Sequence, residues 1–202
     1  MWYKVKKIYV ETQQVRPAKY EYSYDFVWKT LSQAQADWWS YTSNAKIESN
    51  WFTCNQGVDA SMTNILWFNL SSAKKVIISA TMVSDITTPY GGERDGLFSI
   101  SNNNVRLSLT WDLQTRFTWT RVAYGNTNWN VVWDVQWPWI TYYPVVTLDF
   151  ESKISTLSCN NFNDSTLTLS DADLSNIRTF DRLSVYVTQH TFYIQDISIE
   201  VL

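Results

Sequence analysis

The sequence predicts an all-β protein: a two-sheet antiparallel jelly-roll sandwich with one short crossing helix and an N-terminal arm. Three observations lead to this prediction. Apolar and polar residues alternate with period two in successive runs, which is typical of strands that place one face on a core. Turn-forming residues, mostly Asn, separate the runs. Helical patterns are nearly absent, and no period of about 20 to 50 residues repeats, which argues against a propeller or solenoid.

The N-terminal arm is predicted to span residues 1–25, ahead of a sandwich domain of residues 26–202. The arm carries one strand, a turn that ends at Pro17 and a tyrosine-rich run from Tyr20 to Tyr24. Proline lacks a backbone N–H and pushes the residue before it into an extended form, so it interrupts a continuous strand. The arm is expected to dock onto a partner by strand addition or aromatic packing.

Several strands of the sandwich follow from alternation alone. In each run an aliphatic or aromatic residue returns at every second position, which assigns that face to the core. The clearest runs are Val76–Met82, Val105–Trp111, Val146–Phe150, Leu183–Val187 and Ile197–Val201.

The crossing helix is predicted at Ser170–Ile177. Ser170 can cap its first turn, where Asp171 and Asp173 favour the positive end of the helix dipole. A second, weaker helical turn is predicted at Leu31–Asp37.

Composition argues against several classes of function. The net charge of −3 offers no electrostatic attraction for nucleic acid or for an anionic membrane. No stretch approaches about 18 apolar residues, so membrane insertion is not predicted. The N-terminal residues lack the apolar core of a signal peptide, so synthesis in the cytoplasm is expected. Cys54 and Cys159 are predicted to be reduced, buried thiols, with a disulfide between distant strands as the alternative.

A tryptophan- and tyrosine-rich segment, Trp129–Pro144, is the clearest candidate for a binding site. Exposed Trp and Tyr rings stack on the apolar faces of sugars, while neighbouring amides and carboxylates bond the hydroxyl groups. Two alternatives stay open: the rings pack in the core and stabilise a long loop, or they form a protein interface. The candidate ligand-binding residues are Trp129, Asn130, Asp134, Trp137, Trp139, Tyr142 and Tyr143.

No catalytic residue is predicted. Asp149 and Glu151 would share one strand face, but a retaining glycosidase needs two carboxyl groups about 5–5.5 Å apart in a cleft. His190 is expected at a hairpin tip, without an assignable Ser or Asp partner.

No metal site is predicted from spacing, although Ca²⁺ is a candidate cofactor. Calcium takes six to eight oxygen ligands. Asp85, Glu93 and Asp95, or Asn102–Asn104, could supply some of them, and solvated loop acids are the alternative.

Two stretches carry resemblances to known families. Lys7–Pro17 resembles a short N-terminal motif of phage and prophage structural proteins, in which it precedes a β-rich domain. Residues 26–202 are similar in layout to concanavalin-like and laminin-G-like jelly rolls. The matching stretches are the strand Val145–Phe150, Leu167–Leu169 before the helix, and the closing pair Leu183–Thr188 and Phe192–Val201.

The second resemblance also bears on catalysis. Family members that hydrolyse glycans carry Glu-x-Asp-x-x-Glu, whereas Asp149–Ile154 has a different order and lacks the third carboxylate. Hydrolysis is therefore not expected.

Together the resemblances imply a non-enzymatic phage or prophage structural or decoration protein, located in the virion, with a lectin-like domain that faces a receptor or a virion partner. Its expected partners are virion or tail proteins and a cell-surface glycan. The alternative is a free-standing carbohydrate-binding module that uses Trp129–Tyr143.

The balance of Trp and Gly is unusual. The chain has twelve Trp and five Gly, whereas Gly makes up about 7% of an average protein. Trp38, Trp51 and Trp129 lie where turns are expected, and turns favour Gly. The codon UGA is decoded as Trp in some genetic codes and as Gly in others. We therefore hypothesise that some of these residues are glycine in the source organism.

Overall fold

The computed structural model describes residues 20–48, 51–54, 60–66, 70–84, 98–102, 105–109, 115–119, 129–130, 140–160, 164–187 and 192–202. Its elements in chain order are β1 Tyr20–Asp25, α1 Leu31–Ala36, β2 Ser40–Tyr41, β3 Ala45–Glu48, β4 Trp51–Cys54, β5 Ala60–Ile65, β6 Lys75–Ser84, β7 Phe98–Ser101, β8 Val105–Leu109, β9 Thr115–Trp119, β10 Trp129–Asn130, β11 Ile140–Tyr142, β12 Val145–Asp149, β13 Ile154–Ser158, β14 Ser165–Thr168, α2 Asp171–Ile177, β15 Arg182–Val187 and β16 Phe192–Val201.

The strands form two antiparallel sheets, which confirms the predicted all-β sandwich. Sheet A has nine strands in the order β14-β13-β12-β6-β16-β4-β3, with β1 also beside β16 and β11 also beside β6. Sheet B has seven strands in the order β10-β9-β8-β7-β15-β5-β2. Buried side chains from both sheets form one hydrophobic core.

The centre of sheet A is the pairing of its two ten-residue strands, β6 and β16. Their register runs from Ser84 opposite Phe192 to Val76 opposite Val201. The free side of β6 pairs with β12 and then with β11, and the free side of β16 pairs with β1 and then with β4. Two long strands therefore position four shorter ones.

The predicted core faces are confirmed wherever the side chains are described. In β6 every second residue from Val76 to Met82 is buried, and the same phase holds in the other predicted runs. The buried members are Val76, Ile78, Ala80, Met82, Val146, Leu148, Phe150, Leu183, Val185, Ile197, Ile199 and Val201.

Both predicted helices form, and each starts at a capping box. Ser170 accepts the N–H of Asp173, and its own N–H donates to the Asp173 carboxylate. Thr30 and Gln33 make the same reciprocal pair at α1. Such caps satisfy backbone groups that the first turn leaves unpaired. Among the described residues, no helix has the length and apolarity needed to span a bilayer.

The predicted boundary between arm and sandwich differs from the structure. β1 pairs with β16 over six residues, from Tyr20 opposite Val201 to Asp25 opposite Asp196. Tyr24 is buried among core aromatics. The sandwich therefore includes the tyrosine-rich run, because the alternating tyrosines of β1 place one face on the core. Residues 1–19 lie outside the described residues, and their docking role stays a prediction.

Arg178 fixes the turn that leads into β6. Its Nη1 donates to the carbonyl oxygens of Leu70, Ser71 and Ala73 at 3.4, 2.6 and 3.0 Å. Its guanidinium lies 4.4 Å from the centre of the Phe150 ring. One side chain thus joins the end of α2 to the start of the central strand.

Replacement of this side chain tests its contribution. We expect Arg178→Ala to lower the free energy of unfolding by about 2 kcal/mol, because a charged donor to several carbonyls and a cation–π contact are lost. Urea denaturation measures the change. Arg182→Ala is the matched control, since its ion pair with Asp181 is long and exposed; we expect a change within about 0.5 kcal/mol. Equal effects of the two variants would contradict the assigned role.

Candidate functional site

Strand ends of sheet A meet at one end of the sandwich. Ser84, the last residue of β6, lies opposite Phe192, the first residue of β16. Ser84 also lies opposite Ile140, the first residue of β11. Three connections of sheet A therefore leave or enter at the same place.

Strand ends of sheet B meet in the same way. Thr115 lies opposite both Leu109 and Asn130, and Phe98 lies opposite Leu109. The ends of sheet B on this side are Ala60, Phe98, Leu109, Thr115, Asn130 and Val187.

The two sets of strand ends lie at the same end of the molecule. Only four residues separate Val187 of sheet B from Phe192 of sheet A, and an extended chain of that length spans at most about 18 Å. We call this the loop end, defined by the six ends of sheet B together with Ser84, Ile140 and Phe192 of sheet A.

The predicted binding segment begins and finishes at the loop end. Trp129 and Asn130 form β10, opposite Arg116 and Thr115. Ile140–Tyr142 forms β11 on the other sheet. The structure therefore places the two flanks of the segment at the same end of the sandwich, one on each sheet. Asp134, Trp137 and Trp139 lie outside the described residues, and their roles stay predictions.

Tyr142 is a core residue, which corrects its prediction as a ligand contact. Its ring is 1% exposed, because β11 pairs Tyr142 with the inward-facing Met82. The next residue, Tyr143, points the other way and is 52% exposed. Of these two adjacent tyrosines, only Tyr143 offers a ring to a ligand.

Asn160 holds the backbone that presents Tyr143. The N–H of Tyr143 donates to Asn160 Oδ1 at 2.7 Å, and Asn160 Nδ2 donates to the carbonyl of Thr141 at 2.9 Å. The carbonyl of the following residue, Pro144, accepts the N–H of Ala80 at 3.2 Å. Because these bonds fix the chain on both sides, the Tyr143 ring projects from ordered backbone. No sequence pattern indicates the role of Asn160, since it depends on a contact between residues 17 apart.

Cys159 is a buried free thiol, as predicted. Its Sγ donates to Asn160 Oδ1 at 3.4 Å. Burial raises the pKa of Cys159 to about 11, so the thiol stays protonated and is a poor nucleophile at neutral pH. The side chain of Cys54 lies outside the described part.

The two neighbouring carboxylates have structural contacts away from the loop end. Asp149 Oδ1 accepts the N–H groups of Ser152 and Glu151 at 2.9 and 3.0 Å. The hydrogen bond from Ser152 is the main cause that lowers the pKa of Asp149. Glu151 forms an exposed ion pair with Lys74 at 2.8 Å. Asp149 lies opposite Lys75, the residue that begins β6, at the far end of the sheet.

The described residues contain no group of three or more His, Cys, Asp or Glu side chains that could hold a metal ion. Of the predicted oxygen donors for Ca²⁺, Asp85, Glu93, Asp95, Asn103 and Asn104 fall outside this part of the chain, as does His190. Asn102 is described, and its Nδ2 donates to Thr179 Oγ1 at 2.8 Å. Calcium binding therefore stays a prediction.

Comparisons with known proteins identify the fold. No protein-family model matches the chain, and no curated protein matches it. Solved lectin structures do. The basic winged bean lectin with Tn-antigen has a TM-score of 0.62 at 10% identity, with 91% of this chain and 98% of the lectin covered.

Two further structures agree. The metal-free carbohydrate recognition domain of Emp46p has a TM-score of 0.57 at 14% identity, covering 88% of this chain and 95% of that domain. The exoplasmic/lumenal domain of VIP36, bound to Ca²⁺ and Man3GlcNAc, has a TM-score of 0.56 at 10% identity, with 89% and 88% covered. At such identities the likeness shows the fold, which is the concanavalin-like jelly roll of legume-type lectins.

The pKa of Asp149 gives a pH-dependent prediction. Since folding lowers this pKa, the carboxylate stabilises the protein above its unfolded-state pKa, and the contribution is lost as pH falls through the folded-state pKa. We expect Asp149→Ala to lower the free energy of unfolding by about 1 kcal/mol at pH 7. The difference from wild type should shrink on acidification, as urea titrations from neutral to acidic pH would measure. Glu151→Ala, which removes only an exposed ion pair, should change little; a loss equal to that of Asp149→Ala would contradict the capping role.

Proposed function

We propose that the protein is a non-enzymatic carbohydrate-binding module that takes a glycan at its loop end. One observation carries the proposal: the two flanks of the segment rich in Trp and Tyr, Trp129–Asn130 and Ile140–Tyr142, reach the loop end of a lectin-like jelly roll at Asn130 and Ile140. Tyr143 follows directly, between Tyr142 opposite Met82 and Pro144, whose carbonyl accepts the N–H of Ala80.

The chemistry of the described flank suits a sugar. Tyr143 presents an aromatic face to solvent, and such a face stacks on the C–H side of a pyranose while its hydroxyl group bonds water or a sugar hydroxyl. Its backbone is already fixed by Asn160, so binding costs little ordering entropy at this residue.

Structural neighbours support the class of ligand. The winged bean lectin was solved with Tn-antigen and VIP36 with Man3GlcNAc, both of which are glycans. For this chain we propose a glycan as the class of ligand and do not name a particular sugar.

The assignment as a non-enzymatic protein has a physical basis. Asp149 is engaged by a turn and Glu151 by Lys74. Both sit at the end of sheet A opposite the loop end, and these contacts occupy the two carboxylates that glycoside hydrolysis would need.

A role in a phage virion or tail stays a prediction based on Lys7–Pro17. The comparisons do not bear on it, and neither do they bear on virion or tail partners or on location in the virion. Integration of Tyr20–Asp25 into sheet A leaves only the preceding residues available as an arm. The free-standing binding module, the alternative from sequence, therefore becomes the leading proposal.

A glycan array followed by calorimetry tests the proposal. We expect wild-type protein to bind a defined set of glycans, and Tyr143→Ala to weaken binding about tenfold, because a stacking ring contributes about 1 kcal/mol or more. Asn160→Ala should weaken binding less, since it loosens the backbone but keeps the ring.

Tyr20→Ala is the matched control, because it removes an exposed tyrosine opposite Val201 at the other end of the sheet. It should bind as wild type does. Absence of any glycan ligand, or equal affinities of Tyr143→Ala and wild type, would overturn the proposal.

A further inference from the structure

Trp38 occupies a backbone position that strongly favours glycine. It follows Asp37, the C-cap of α1, and has φ of 70°. Its N–H donates to the carbonyl of Gln35 at 3.1 Å, and the N–H of Trp39 donates to the carbonyl of Ala34 at 3.0 Å. This pair of bonds defines a Schellman motif, whose left-handed residue is usually Gly because a Cβ atom is unfavourable there.

Trp28 occupies a second such position. The N–H of Lys29 donates to the carbonyl of Phe26 at 3.1 Å, which closes a four-residue turn with Trp28 in its third place. Trp28 has φ of 59°, whereas Val27 is not among the residues with positive φ. A turn with positive φ only at its third residue is type II, and that residue is typically Gly.

Both indole rings also point away from the core. Trp28 is 81% exposed and Trp38 is 62% exposed. Among described residues other than Gly, positive φ occurs only at these two and at Lys153. A bulky residue with positive φ is a genuine outlier, so two exposed tryptophans in this state within one corner of the fold need an explanation.

Two other tryptophans pack their rings against neighbouring aromatic rings. Trp39 is 1% exposed and packs 5.2 Å from Tyr24 and 5.9 Å from Phe26, measured between ring centres. Trp51 is a strand residue opposite Glu48, with its ring 6.4 Å from that of Tyr193. The structure therefore gives no backbone reason for a glycine at Trp51, and the sequence-based hypothesis at this position stays a prediction.

The structure also restricts that hypothesis at Trp129. This residue lies in the strand β10, opposite Arg116, and strand residues have an extended backbone with negative φ. Of the three positions suggested from sequence, Trp38 alone has the geometry of glycine, and the structure adds Trp28.

We propose that residues 28 and 38 are encoded by UGA and that the organism which makes this protein decodes UGA as glycine. The native chain would then carry Gly at both turns. The shortage of Gly and the excess of Trp in the chain would share one cause, because each such codon adds one Trp and removes one Gly. Trp39 and Trp51 would be true tryptophans encoded by UGG.

An alternative is that Trp28 and Trp38 form a sugar-stacking platform. The two turns belong to one corner, since Lys29 Nζ bonds Asp37 Oδ2 at 2.9 Å. However, a ligand platform needs exposed rings but does not need positive φ, which disfavours every residue that has a Cβ atom. Glycine explains the exposure and the positive φ together.

The gene provides the direct test. We expect UGA at codons 28 and 38 and UGG at codon 39. Codon 39 is the internal control, because Trp39 directly follows Trp38 in the chain but has a buried ring. A genome from the same source should encode a glycine tRNA with an anticodon complementary to UGA. UGG at codons 28 and 38 would overturn the proposal.

Protein variants test the backbone argument independently. Trp28→Gly and Trp38→Gly should each raise the equilibrium constant for folding about fivefold to thirtyfold in urea titrations, because Gly adopts positive φ without the Cβ penalty. Trp28→Ala and Trp38→Ala keep the Cβ atom and should give a clearly smaller gain. Lys153→Gly should also stabilise the protein, because Lys153 has φ of 58°. This variant serves as a positive control for the release of positive-φ strain.

Two outcomes would count against glycine at these positions. Equal gains from the Ala and Gly variants would show that the ring, and not the backbone, is unfavourable. Loss of glycan binding in Trp28→Gly or Trp38→Gly, with binding retained in Tyr143→Ala, would favour the platform and also overturn the proposed site at the loop end.

Discussion

The pairing of β6 with β16 is the constraint on which the rest of the structure depends. Each strand has ten residues, and each accepts two shorter strands in succession along its outer side. One register therefore sets the position of six strands. The bulge between Ile194 and Asp196 locally shifts this register, and the carbonyl of Gln195 there accepts the N–H of Phe26. The irregularity thus anchors the turn after β1.

The two ends of the β6–β16 pair differ in their contacts: one end has stabilising turn contacts, and the other adjoins the proposed binding segment. At the Val76–Val201 end, Arg178 and Asp149 bond backbone groups of tight turns. At the Ser84–Phe192 end, the chain passes from sheet B to sheet A between Val187 and Phe192. The strands on either side of the predicted binding segment, β10 and β11, also have ends there. Asp149 and Glu151, the two neighbouring carboxylates considered for catalysis, make structural contacts at the Val76–Val201 end. Tyr143, three residues after Ile140 of the second end, presents an aromatic ring on fixed backbone, which is the arrangement that selective sugar stacking requires.

Most of the fold follows from the sequence because alternation reports directly which face is buried. Both helices were predictable because capping boxes are local. The site was only partly predictable. Tyr142 and Tyr143 have the same chemistry, and only the register of β11 against β6 decides which ring is buried. Asn160 has no local pattern, since its partners lie on another loop. The tyrosine-rich run of β1 resembled an arm because its strand partner, β16, is at the other end of the chain.

Backbone geometry also distinguishes the exposed aromatic residues that are suited to stacking on a sugar from those that are not. Exposure alone would rank Trp28 and Trp38 above every other aromatic ring whose exposure the structure describes, yet both have positive φ, a backbone state that disfavours any Cβ atom. Tyr143 is less exposed, but it has ordinary backbone, fixed neighbours and a codon whose meaning is not in question. The excess of Trp over Gly is therefore weak evidence for sugar binding. A tyrosine, not a tryptophan, carries the part of the site that the structure describes.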